Sequence, residues 1–241
     1  MKLRLQSLLA ILLFMAGVLL QLLLSSGAVW AELEASMYGR RAAEGGLPLD
    51  CPLVLSPLES RTISVAINNS SDQPVTPMIT TEISAPDGVK SQSQTLPLAA
   101  HETKFLQWRV NNSNVIFGRL ILANINQGRD AELASRSGFC GILVFKLFNL
   151  TGGQSLMLFG IGSLFLILAG GILWRRIHAA GEASMDQTFK ACGGLAGVST
   201  LAFLAALPRW WGLTLFLDAF ALIMLSVIFT EFLLFPKSNI S

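Results

Sequence analysis

An all-β sandwich ectodomain joined to an all-α transmembrane region of three helices, four if the N-terminal segment is retained, is the fold class this sequence predicts. Three observations predict it. Hydrophobic residues make up 52% of the 241 and charged residues only 13%, whereas soluble domains carry about 25% charged residues. The apolar excess lies in residues 8–24 and beyond about residue 142, so the chain is segregated into membrane-like ends and a soluble-like middle. That middle alternates apolar and polar residues in short runs, the period of half-buried strands.

The first 31 residues have the parts of a secretory signal. Lys2 and Arg4 supply the positive start, Leu8 to Leu24 the apolar run, and Val29-Trp30-Ala31 an A-x-A-type exit. Cleavage after Ala31 is the expectation. The alternative is a retained signal anchor, because the apolar run is about long enough to span a bilayer. Residues 32–50 then form a linker.

Residues 51–150 form the exported domain. RTISVAI (61–67) sets Ile63, Val65 and Ile67 on one face, and MITTEIS (78–84) and KFLQWRV (104–110) repeat the alternation. IFGRLILANI (116–125) and GILVFKL (141–147) complete the strand-like runs. NNSSDQP, APDG, NNSN and NQGRD separate them with turn-forming residues. About seven strands at this spacing fit a sandwich. Trp108 keeps step with Leu106 and Val110, which makes it a core residue rather than a binding aromatic. Cys51 and Cys140 bracket the domain, and in an exported chain such a pair reads as a disulfide, with two buried thiols as the alternative.

PLVLSPLESRTISVAINNSSDQPVTPMITTEIS (52–84) followed by LPLAAHETKFLQWRV (96–110) resembles the immunoglobulin-like domains of exported bacterial proteins, including the first domain of periplasmic pilus chaperones. The shared features are an apolar strand, a strand ending in Asn-Asn-Ser-Ser-Asp, and a later strand preceded by an apolar-Pro turn. The resemblance implies an immunoglobulin-like (Ig-like) fold and carries over no functional residue.

The C-terminal third reads as three spans. Residues 154–174 give about 31 Å of helix, enough for the hydrocarbon core. Arg175 and Arg176 at its end mark the cytoplasmic side, with 175–190 as the cytoplasmic loop. Residues 191–207 return outward. Pro208-Arg209-Trp210-Trp211 makes an outer turn with the tryptophans at the interface, residues 212–235 go back in, and 236–241 form a cytoplasmic tail. Gly193 and Gly197 form a GxxxG pair, expected to pack within the helical hairpin, with dimerisation the alternative.

Two carboxylates fall in the last span. Asp218 lies about 9 Å in and Glu231 about 6 Å from the other end, and their spacing puts them on different helix faces. Glu231 reads as an interfacial anchor with Lys190 as its partner. Asp218, too short to reach the interface, reads as an internal pair or a contact to a partner subunit, with Arg209 the nearest cation. Transport chemistry at Asp218 is the alternative.

No catalytic motif is recognisable, and His101 and His178 are placed on opposite sides of the membrane, so they cannot share a site. A net charge of +2 without a basic stripe excludes a nucleic-acid surface. The expectation is a non-enzymatic scaffold, accessory or assembly subunit in a multi-pass cell membrane, without cofactor or metal. The lipid bilayer and a membrane protein are its partners. A component of an ion-coupled system, or a surface receptor or adhesin, is the alternative.

Overall fold

The computed structural model describes residues 2–38, 43–130, 133–178 and 183–230. The chain divides into a β unit, Trp30–Leu156, and a helical unit made of Met1–Val29 and Met157–Ser241.

Nine strands are described in the β unit: β1 Gly45–Gly46, β2 Leu49–Asp50, β3 Val54–Leu55, β4 Arg61–Asn68, β5 Met78–Ala85, β6 Gly88–Thr95, β7 Thr103–Val110, β8 Leu120–Gln127 and β9 Arg136–Val144. The larger sheet runs β1-β9-β8-β5-β6, with β3 also on β9, and the smaller runs β2-β4-β7. Inward residues of both sheets form one core. Ile63, Val65 and Ile67 of β4 meet Ile79 and Ile83 of β5, Ile121 and Ile125 of β8, and Ile142 and Val144 of β9. In register, Ile63 lies opposite Trp108 and Val65 opposite Leu106. Leu106 and Trp108 pack on this core, as the alternation of β7 requires. Cys51 and Cys140 are disulfide-bonded, with Cα atoms 6.6 Å apart.

Two strands differ from the expectation for opposite reasons. The β6 sequence GVKSQSQT is exposed throughout, because an edge strand needs no apolar face. It carries no alternation, and only the Pro86-Asp87 turn that joins it to β5 is legible. Strand β8 is buried at every position. Its second face lies under the last turns of the N-terminal helix, where Ala31 and Ala35 pack on Leu120 and Leu122. Gly141 permits this approach, since a Cβ there would overlap the Ala31 carbonyl. The β unit takes in residues from Trp30 onward, including the last turns of the helix that precedes its strands.

Four helices are described: α1 Lys2–Met37, α2 Gly152–His178, α3 Ala183–Ala206 and α4 Trp211–Phe229. Three contain stretches long and apolar enough to cross a membrane: Leu5–Met37, Gly152–Ile177 and Trp211–Ile228. The set of three differs from the sequence expectation, because it includes the N-terminal helix. The stretch expected at 191–207 lies in α3, whose Lys190–Ala206 part is apolar. Helix α1 has 36 residues, or about 54 Å, and runs unbroken through the expected cleavage point.

Close packing in the helical unit rests on Gly17 and Gly170. A Cβ on Gly17 of α1 would lie 2.6 Å from the Ser163 carbonyl oxygen, and one on Gly170 of α2 would lie 2.6 Å from the Phe14 nitrogen. These glycines let α1 and α2 approach backbone to backbone. At Gly193 and Gly197 a Cβ would meet nothing within 4 Å. Among the described residues the GxxxG pair therefore makes no close contact and lies on an open face of α3.

Candidate functional site

The lone charged residue of the α4 sequence WGLTLFLDAFALIMLSVIF is the natural starting point. Asp218 is 4% exposed. An unpaired carboxylate held in apolar surroundings is costly, so its oxygens require donors. Helix α1 supplies them. Ser25 Oγ donates to Asp218 Oδ1 at 2.7 Å, and Ser26 Oγ donates to Oδ2 at 3.1 Å. The Ser25 hydroxyl also lies 3.0 Å from the Gln21 carbonyl. Its single proton goes to the carboxylate, because that contact is shorter and charge-assisted.

One turn earlier on α1, Gln21 bridges to α3. Its Oε1 accepts from Ser199 Oγ at 2.9 Å and from Thr200 Oγ1 at 3.2 Å, while its buried Nε2 has no hydrogen-bond partner. Gly17, Gln21 and Ser25 recur at i+4 and so share a face of α1. That face meets α2 through Gly17, α3 through Gln21 and α4 through Ser25. Val18, Leu22, Ile167, Leu195 and Ala221 fill the space around it. Ser25 is wholly buried and Asp218 nearly so, while Ser26 is exposed. The arrangement joins α1 to α3 and α4 through charge-assisted and neutral hydrogen bonds and to α2 through close packing at Gly17.

The other expected site residues are dispersed. Arg175 and Arg176 are exposed on the last turns of α2, and Lys190 is exposed on α3. Arg209 stands in the α3–α4 turn with φ 62°. The N–H groups of Arg209 and Trp210 bond the Ala206 and Ala205 carbonyls at 3.1 Å each, which closes α3 with a left-handed residue. Trp210 and Trp211 are largely exposed beside it. Glu231 lies outside the described residues, as do Lys237 and the tail from residue 236. His101 contacts Asp72 at 2.9 Å on the surface of the β unit. Among the described residues no group of three or more His, Cys, Asp or Glu side chains could hold a metal.

Sequence reasoning placed Asp218 but missed its partners, because Gln21, Ser25 and Ser26 sit in the segment assigned to a signal. Their polarity inside an otherwise apolar run was the available clue.

No family model matches the chain, and no curated protein matches it. Among solved structures, the chain is similar to the CARDB domain of a Pyrococcus furiosus protein, at 12% identity over 42% of this chain and 86% of that one, with a TM-score of 0.34. It is also similar to a cycloisomaltooligosaccharide glucanotransferase from Paenibacillus sp. (24% identity, 43% of this chain, 15% of that chain, TM-score 0.33). A beta-glucosidase from Listeria innocua is comparable (20% identity, 45% and 17% of the two chains, TM-score 0.29). Likenesses this partial say nothing of activity.

Proposed function

We propose that this is a non-enzymatic integral membrane protein in which a retained N-terminal anchor, α1, organises the other helices. An Ig-like sandwich is held on the extracytoplasmic side as a scaffold or accessory subunit of a membrane complex. The observation that carries the reading is the Asp218 carboxylate, both of whose oxygens accept from serines of α1. An acid spent on helix–helix hydrogen bonds is a structural latch and is not poised to bind an ion. The disulfide supports an exported β unit. Arg175 and Arg176 at the end of α2 support a cytoplasmic location for that end.

The test is crosslinking in native membranes, gentle extraction and mass spectrometry of what accompanies the chain. A reproducible stoichiometric partner is expected, and recovery of the chain alone would remove the subunit role. The orphaned Gln21 Nε2, one turn from the latch, favours one second reading: an ion-coupled component in which a water accepts from the Gln21 amide and donates to the Asp218 carboxylate, forming part of a proton path. Asp218→Asn separates the two. A latch predicts abundance at most mildly reduced, since the amide still meets both serine hydroxyls, with pH-dependent flux unaltered, whereas ion coupling predicts normal abundance with altered pH-dependent flux.

A further inference from the structure

Two phenylalanines of the β unit are exposed, covered by none of the described residues. Phe117 is 72% and Phe148 78% exposed. Both have φ 51°, a left-handed backbone that bulky residues rarely adopt. They lie at the same end of the larger sheet. Phe117 occupies the turn closed by the Ile116–Leu120 bridge. Two residues on, the Arg119 carbonyl accepts from Val144 N–H at 2.8 Å, at the end of β9, and Phe148 follows four residues later. Phe148 is itself four residues before Gly152, the first residue of α2.

The neighbours at this end share its character. The turn Ser56–Glu59, whose Glu59 carboxylate accepts from the Gly152 N–H, presents Leu58 at 64% exposure. Trp30 of α1 stacks under the Arg119 guanidinium, 4.6 Å from the ring centroid. Arg119 and Lys146 are both exposed here. Exposed large apolar side chains beside cations and a tryptophan, at the point where a spanning helix begins, match what the interfacial layer of a bilayer binds.

We propose that this end of the β unit is a lipid-contact rim. Phe117, Phe148 and Leu58 insert into the headgroup layer, with Trp30 beside them, and Arg119 and Lys146 pair with lipid phosphates. The occupant is the bilayer that α2 enters, because the chain between Phe148 and Gly152 is too short to carry the ring far from that surface. The inference rests on the reading that α2 spans the membrane, and the experiment separates the two.

Single cysteines replace Phe117, Phe148, Phe105 or Phe165 in a Cys192→Ser full-length chain that keeps the Cys51–Cys140 disulfide. Each carries an environment-sensitive fluorophore, in vesicles of phosphatidylcholine and phosphatidylglycerol. Phe105, in β7 near the opposite end of the sandwich and also 72% exposed, is the aqueous control. Phe165, exposed on α2, reports on the span itself. Labels at 117 and 148 are expected to be quenched by nitroxide placed at the lipid headgroup and several-fold less by aqueous iodide than the label at 105. Iodide quenching at 117 and 148 equal to that at 105 overturns the rim while a lipid-quenched 165 preserves the span. Shielding from both quenchers means a second copy covers the patch, and also overturns it. If a label disturbs folding, photoactivatable lipid on the unmodified chain gives the same reading. Adducts in the peptides holding Phe117 and Phe148 support the rim, and adducts confined to the helices overturn it.

Discussion

Asp218 and its serines are a case where a single buried charge dictates its surroundings. A hydrogen bond to a charged group contributes about 1.5–3 kcal/mol, and removing its partner leaves the charge undersolvated. Ser25→Ala is therefore expected to destabilise the helical unit by about 1–3 kcal/mol, read as a lower melting temperature in detergent. Asp218→Asn should cost less than Asp218→Ala, since an amide still meets both hydroxyls. A double-mutant cycle between Ser25→Ala and Asp218→Ala should return a coupling of about 0.5–3 kcal/mol. Additive losses would show that the two do not act as a pair. Glycines give the opposite lesson. Gly141→Ala is expected to lower β-unit stability, because the added methyl overlaps the Ala31 carbonyl. Gly193→Ala should be neutral or stabilising by up to about 1 kcal/mol through helix propensity. Thermal unfolding of the two variants side by side checks both.

Among the elements, α1 has the widest role. Its first part carries the Gly17, Gln21 and Ser25 face, and its last turns bury Ala31 and Ala35 on β8 and β9. The same small residues that make a cleavage site legible also permit close helix–sheet packing, so the motif has two physical explanations. Strand β9 shows a similar concentration, since Cys140 on it ties back to Cys51 across 89 residues. In the chain-entropy account, a crosslink of that span restricts the unfolded chain by about 4–5 kcal/mol. Reduction, or Cys51→Ser with Cys140→Ser, should lower the denaturant midpoint of the β unit. An unchanged midpoint would mean that strand pairing alone sets its stability.

For the whole molecule, the decisive quantity is the mass of the mature chain. Intact-mass analysis of protein from native membranes is expected to include α1. A mature start at Glu32 would remove Ser25 and Ser26 from Asp218, and with them the latch on which the proposed function rests. Cysteine accessibility on intact cells addresses orientation. Positions in the β unit are expected to react with a membrane-impermeant thiol reagent, and positions beside Arg175 only after permeabilisation.

The local pattern alone determined that apolar helices flank an alternating β region, because a helix's hydropathy and a strand's period of two are written in consecutive residues. It determined the core facing of Ile63, Val65 and Trp108 for the same reason. The Cys51–Cys140 bridge followed from compartment. Tertiary structure decided what depends on distant neighbours. It set the serines opposite Asp218, chose Gly17 and Gly170 over Gly193 and Gly197 as points of close approach, and buried both faces of β8. It also formed β6, a polar edge strand whose pairing to β5 no periodicity announces. A carboxylate's depth is visible in a sequence, but the hydroxyls that satisfy it lie 192 and 193 residues away, and only folding brings them together.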